Sequence, residues 1–308
     1  MISGALGSLG ERELAAHLRG PGLGIDYGAC TVRLRATTPA FLAAFRAVYR
    51  SFDVRPAPDF ADLHVRLVPG RGARRWLRPQ TRFLIDGGEP FEPFPLSGPL
   101  PHYEWGVNWC FGQRFNQYVL LHAGALALDD RAAIMAAVPG AGKSTLAAAL
   151  MLNGLRLLSD EFGVLDPESG NLLAMLKPVA LKNQSIGVIS AFSANARLGP
   201  VFTGTRKGDV AHLAPDAASV AAVRRPARPA LVLFPAYREG APLRLTPKTP
   251  DQAFVRLAFN SFNYQLLGPV SFEAVASLAE SCPAYELVYG RLDEAVACVH
   301  ELLTGRRP

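Results

Sequence analysis

Apolar and polar positions alternate from Cys30 to Arg35, which predicts a half-buried strand. Thr38-Pro39 then supplies an N-cap and a first helical residue for a helix over Phe41 to Phe52. Two more strand-like runs, Leu63 to Val68 and Phe83 to Asp86, are separated by the turn-rich Pro69-Gly70-Arg71-Gly72. Together these predict a small α+β unit. Glu89 to Pro101 follows, with six prolines and glycines among thirteen residues. Such a stretch is stiff and turn-prone, and we read it as the joint between an N-terminal domain, 1–100, and a second domain, 101–308.

Beyond the joint, Tyr103 to Gln117 carries Trp105, Val107, Trp109, Phe111 and Phe115 at a spacing compatible with a helix, with packing between domains as its default role. Two apolar runs, Tyr118 to Leu128 and Ala132 to Val138, predict strands, and the second ends in a glycine loop that opens a helix over Lys143 to Leu152. Leu155 to Ser159 is a short strand ending in Asp160-Glu161. The pattern then predicts a buried strand at Ala230 to Phe234, a helix over Gln252 to Leu267 and a strand at Tyr285 to Tyr289. A last helix, capped by Asp293, sets Ala295, Val296, Val299, Leu302 and Leu303 on one face. The order strand, loop, helix places the chain in the α/β class.

Composition narrows this picture. With 308 residues, 49% apolar and 19% charged, the chain is globular and long enough for one large domain or two of ordinary size. Met1 to Gly10 has no basic stretch leading into an apolar core, and Val119 to Val138 is interrupted by Asp129, Asp130 and Arg131. Neither a signal peptide nor a membrane span is expected. Cys30, Cys110, Cys282 and Cys298 lack metal or disulfide spacing and read as reduced thiols of a cytoplasmic protein. The net charge of +6 comes from dispersed arginine. The one local cluster, Arg71, Arg74, Arg75 and Arg78, has no stacking aromatic but Trp76, so it reads as a solvated hairpin and no nucleic-acid partner is expected. Lysine is scarce, with Lys143, Lys177, Lys182, Lys207 and Lys248 the full set. Retained against an arginine background, a lysine is weighted toward a point-charge role.

The chemistry concentrates in Ala137-Val138-Pro139-Gly140-Ala141-Gly142-Lys143-Ser144-Thr145. Glycines 140 and 142 let backbone N–H groups turn inward, and the following helix adds free donors and a partial positive charge. Lys143 is placed to reach the β- and γ-phosphates, and the Ser144 hydroxyl to coordinate Mg²⁺. Pro139 to Thr145 therefore form the expected nucleotide site. Ala137 stands where the first glycine of this motif usually stands, and Pro139 removes one donor; the second glycine, the lysine and the hydroxyl remain. Asp160-Glu161 lies one helix and one strand later, as in small phosphate-loop kinases, where an acid at the end of the neighbouring strand accepts a hydroxyl proton or holds the metal. His122, in Leu121-His122-Ala123-Gly124, reads by itself more readily as a core histidine than as a catalyst.

His122-Ala123-Gly124, Gly140-Ala141-Gly142-Lys143-Ser144 and Arg156-Leu157-Leu158-Ser159-Asp160-Glu161 resemble, in order and spacing, the catalytic domain of bacterial HPr kinase/phosphorylase. Glu104-Trp105-Gly106-Val107-Asn108-Trp109, Leu181-Lys182-Asn183, Thr205-Arg206-Lys207-Gly208 with Val210-Ala211-His212, and Phe262-Asn263-Tyr264 look like the group called HprK-related kinase A. The resemblance runs from about Thr38 to Leu303. It implies a fold akin to HPr kinase and phosphoenolpyruvate carboxykinase, ATP with Mg²⁺, transfer to a serine-type hydroxyl, and a homo-oligomer. It assigns Asp160 as general base, Glu161 as the neighbouring acid near metal and His122 as the histidine flanking the site. With Ser144, the two acids make up the expected metal set. The glycine-rich segment that follows the acids in HPr kinases is replaced here by Lys177-Pro178-Val179-Ala180-Leu181-Lys182-Asn183, so neither HPr as acceptor nor the reverse reaction is carried over. Lys182 and Lys207 are candidates for contact with the transferring phosphoryl group, and Thr205 to Gly208 for a lid.

Three functions fit these residues: a kinase for a peptide or protein hydroxyl, a small-molecule hydroxyl kinase, and a nucleotide-binding regulatory module without transfer.

Overall fold

The computed structural model describes residues 4–306; the ends of the two expected domains, 1–3 and 307–308, lie outside them, as do the first residues of the segment read for a signal peptide. The fold is mixed α/β, built on three mixed or antiparallel sheets. The first has seven strands, all from residues 4–95. Its strand Thr31–Ala36 alternates in burial as the sequence predicts, pairs antiparallel with Leu23–Asp26 and parallel with Leu63–Pro69, and is followed by the helix Pro39–Tyr49. Thr38 occupies the N-cap position with extended backbone, yet its hydroxyl makes no capping bond; the helix starts on Pro39, whose fixed φ suits a first turn. The arginine-rich segment around the turn Gly72–Arg75 is the exposed connection of the hairpin formed by Leu63–Pro69 and Gln80–Ile85.

The expected joint is partly ordered secondary structure. Phe94–Pro95 adds an edge strand to the first sheet, and the helix Pro99–Arg114 begins inside the segment, using proline at its start. That helix carries the aromatic stretch and is buried along much of its length. At Gly106 it lies so close to the first sheet that an added Cβ would meet the Phe83 ring at 2.3 Å.

The second sheet has eight strands. Val119–Leu128 forms a hairpin with Arg131–Ala136, which continues parallel to Arg228–Tyr237 and then to Ala284–Tyr289. The antiparallel strand Arg244–Lys248 closes that edge. The other side of Val119–Leu128 is shared by two short antiparallel strands, Arg156–Ser159 and Phe162–Leu165. The third sheet joins Val179–Lys182, Gly208–Leu213 and Phe202–Thr205. One apolar cluster runs through all three layers, from Leu6 to Leu303. All four cysteines are buried, and among the described residues no helix is long and apolar enough to cross a membrane.

Two expectations are corrected. The helix expected over Gln252 to Leu267 is broken into Pro250–Phe259 and Tyr264–Leu267. Between them the backbone pairs with the start of the strand Val119–Leu128: Phe262 N–H donates to Leu120 O at 2.8 Å, and the Asn263 side chain accepts from Leu120 N–H at 3.0 Å and donates to Tyr118 O at 2.9 Å. Sheet hydrogen bonds outweigh the helical period there. Asp293 does not cap the last helix, Leu292–Thr304; it lies in the first turn, bonded to Arg291, where its charge still suits the helix N-terminus. The pattern also left unread the helices Glu11–Arg19, Gln184–Phe192 and Pro269–Ser281.

Because the Gly106 contact leaves no room for a methyl group, Gly106→Ala should lower stability by about 1–3 kcal/mol through overpacking against Phe83. Urea unfolding with an unchanged slope and a lower midpoint is the expected readout; a wild-type midpoint would contradict the close approach.

Candidate functional site

The central strand Arg131–Ala136 hands the chain to the loop at its C-terminal end, and the loop is tied to its neighbours. Tyr237 N–H donates to Ala141 O at 3.0 Å, and Ala141 N–H donates to Val138 O at 3.2 Å. Gly142 has a φ of 87°, and a Cβ there would meet the Tyr289 hydroxyl at 2.8 Å, so both backbone conformation and space demand glycine. The helix Lys143–Leu152 starts directly after it, with Ser144 and Thr145 half-buried in the first turn. Lys143 is only 8% exposed, and its Nζ has no hydrogen-bond partner. Burial lowers its pKa, opposed by the charges of Glu161 and Asp160.

Strand register brings His122 to the loop. In the hairpin Ala123 lies opposite Ala136, so His122 falls beside the first loop residue, while on its other side Phe162 is its paired residue. The His122 Nε2 is 3.6 Å from Glu161 Oε1, and its ring lies 5.2 Å from that of Phe262. Burial and the Lys143 charge lower its pKa, with Glu161 opposing. His122 N–H donates to Asn260 O at 2.5 Å.

Asp160 and Glu161 sit at the break between Arg156–Ser159 and Phe162–Leu165. Here the sheet departs from the arrangement expected: the acid-bearing strand is not the neighbour of the loop strand but lies beyond the His122 strand, antiparallel to it. The shift in register between Leu157 and Ser159, followed by the Ser159 hydroxyl accepting from Glu161 and Phe162 N–H at 3.2 and 3.0 Å, turns the acids toward the loop. Asp160 is buried, and desolvation together with Glu161 pushes its pKa up to about 6, against the pull of Lys143 and an Ala180 N–H bond of 3.3 Å.

The third sheet supplies the opposite wall. Asp160, Glu161, Lys182 and Lys207 line one small cavity of about 30 Å³. Lys207, at the hairpin turn, holds its ammonium 5.2 Å from the centroid of Trp105. The Thr205 hydroxyl fixes that turn, donating to Gly208 O at 2.6 Å and accepting from Lys207 N–H at 3.1 Å. Asn183, in a left-handed conformation with a φ of 50°, bonds Asp209 through both backbone and side chain.

Sequence reasoning assigned no role to four further residues of this cavity: Glu104, Asn108, Lys177 and His212. Lys177 belongs to the scarce lysines and Glu104, Asn108 and His212 to the quoted motifs, which were the available signals. Lys177 Nζ is 3.0 Å from Glu104 Oε2 and donates to Glu104 O at 2.7 Å and Asn108 Oδ1 at 2.6 Å. His212 is fully buried, neither ring nitrogen has a partner, and burial holds its pKa down to about 4.

No model of a protein family matches this sequence, and no curated protein matches it. Among solved structures, the Hpr(Ser) kinase/phosphatase from Coxiella burnetii aligns with 60% of this chain and 98% of its own, at 14% identity and a TM-score of 0.26. At that score the likeness carries no weight for fold or function, and the chemistry rests on the site itself.

Asp160 makes a pH prediction with a definite sign. The folded chain holds its proton up to about pH 6, whereas the ordinary value is 3.8. The protonated carboxyl thus favours folding, fully below about pH 4, and that contribution is lost as pH rises through about 6. Asp160→Asn cannot ionise, so it should be more stable than wild type by about 1–3 kcal/mol at pH 8, with the gap closing toward pH 4. Urea unfolding of ligand-free protein at both pH values measures this, and a pH-independent gap would refute it.

Proposed function

We propose that this protein is an ATP-dependent phosphotransferase that moves the γ-phosphoryl group of ATP to a serine-type hydroxyl of a peptide or protein. The observation that carries the reading is the buried Lys143 ammonium, without a partner, at the N-terminus of a helix and facing Asp160 and Glu161. A buried cation with unfilled donors fits an anion that arrives from outside, and the loop N–H groups and helix dipole favour a polyphosphate. Pro139 to Thr145 hold the nucleotide in this reading, with Lys143 on the β- and γ-phosphates.

The donor set also fits a magnesium ion. Among the described residues no three His, Cys, Asp or Glu side chains cluster as a protein cage, and Mg²⁺ bound with phosphates needs only one or two carboxylates. Ser144, Asp160 and Glu161 would hold it, and when bound it neutralises charge on the β- and γ-phosphate oxygens.

Asp160 is the general base. Raised to about 6, its carboxyl is ionised at neutral pH yet basic enough to take a proton. It accepts the acceptor hydroxyl proton as that oxygen bonds to the γ-phosphorus and the bond to ADP breaks. Lys182 and Lys207 stabilise the transferring charge from the opposite wall, and His122 orients Glu161. Neither nucleic acid nor membrane enters this reading, which takes the protein to be cytoplasmic.

The test is incubation with γ-labelled ATP, Mg²⁺ and a clarified lysate of the source cells. Wild type should label a peptide or protein. Lys143→Ala should weaken nucleotide binding about 10–100-fold. Asp160→Asn should keep nucleotide while slowing transfer by about 10²–10⁴-fold. Labelling of a small metabolite would shift the acceptor class, whereas tight nucleotide binding with no labelled acceptor in any fraction would leave a regulatory module.

A further inference from the structure

The first sheet and its helix reach the site at two places. Leu176 N–H donates to Tyr27 O at 2.9 Å and Ala29 N–H to Ala174 O at 2.7 Å, so the stretch leading into Lys177 is bonded to N-terminal backbone. The second link is a buried chain of hydroxyls. Tyr27 donates to Tyr49 at 3.1 Å, so with one proton per phenol the 2.7 Å contact between Tyr27 and Tyr103 has Tyr103 as donor. Tyr49 then donates to Glu104 Oε1 at 2.7 Å.

Glu104 passes this constraint on. Its second oxygen pairs with the Lys177 ammonium at 3.0 Å, and that ammonium donates to Glu104 O and Asn108 Oδ1. Paired with a carboxylate and bonded to a carbonyl and an amide oxygen, Lys177 is held as an anchor. Pro178 follows, and then the strand Val179–Lys182, whose Ala180 N–H bonds Asp160 Oδ2 and whose Lys182 lines the cavity. Only two residues, Pro178 and Val179, separate the anchor from the N–H that holds the acid.

We propose that Tyr49 is a positioning residue for phosphoryl transfer: its hydroxyl, carried by the N-terminal helix, fixes Glu104, Glu104 fixes Lys177, and Lys177 sets where Ala180 N–H and Lys182 meet Asp160. This rests on the phosphotransferase reading and gives the N-terminal region a part in it. Removing the hydroxyl leaves a buried carboxylate oxygen unfilled, so Glu104 must re-aim and the anchor moves with it. The ring packing of residue 49 against Phe45 and Phe52, at 4.4 and 4.7 Å, survives replacement by phenylalanine.

Tyr49→Phe and a control, Thr81→Val, are compared in the full-length protein. Thr81 is buried in the first sheet and bonds only Val68 O, at 3.4 Å, so its loss weakens the same region without touching the chain of hydroxyls. In Tyr49→Phe, kcat should fall about tenfold while KM for ATP stays within about twofold, and Thr81→Val should match wild type in both. Amide NMR supplies a readout free of turnover: the Ala180 and Lys182 signals should move in Tyr49→Phe and not in Thr81→Val. Unmoved signals, or a wild-type kcat, would overturn the proposal. An inert wild type whose Ala180 signal still moves in Tyr49→Phe would sink the phosphotransferase reading while leaving the structural coupling standing.

Discussion

Burying an ammonium group costs several kcal/mol unless its donors are filled and an opposite charge lies close. This protein buries two at one site and treats them in opposite ways. Lys177 is paired with a carboxylate and donates to a carbonyl and an amide oxygen. Among the described residues, none fills a donor of Lys143. The first is fixed wall; the second is a buried cation with open donors at the start of a helix whose dipole favours an anion. The proposed division of labour between a rigid support and a ligand-binding group rests on that difference.

Three layers converge on this arrangement. The second sheet sets the loop, His122 and the acids side by side through strand register, with the His122 strand between the other two. The third sheet sets Lys182 and Lys207 across the cavity. The helix Pro99–Arg114 stands between first sheet and site, offering Gly106 to Phe83 and Glu104, Trp105 and Asn108 to the cavity. The Tyr237 and Tyr289 contacts hold the loop, which reduces the ordering that a ligand must impose.

The proposed function, with Asp160 as its base, is held against stability. Asp160 is buried beside another acid, an arrangement that raises its pKa and disfavours the ionised form a base requires. His212 is buried with both ring nitrogens unpaired, again on the cavity wall. A core selected for stability alone has no use for either.

What the sequence determined by itself is local. The strand, glycine loop and helix from Ala132 to Leu152 were legible because period, glycine placement and the lysine–hydroxyl pair all describe one short segment. The strand Thr31–Ala36 and the apolar face of the last helix were legible for the same reason. Tertiary structure decided what depends on pairing between distant segments. The helix expected across Asn260 to Asn263 breaks because that backbone bonds Leu120 and His122, and Asp160 lies beyond the His122 strand because sheet order is not written in any one strand. Glu104 and Lys177, separated by seventy-three positions, become a pair only when the first and third sheets close on the same helix. A point charge is visible in a sequence; the partner that fills its donors is chosen by the fold.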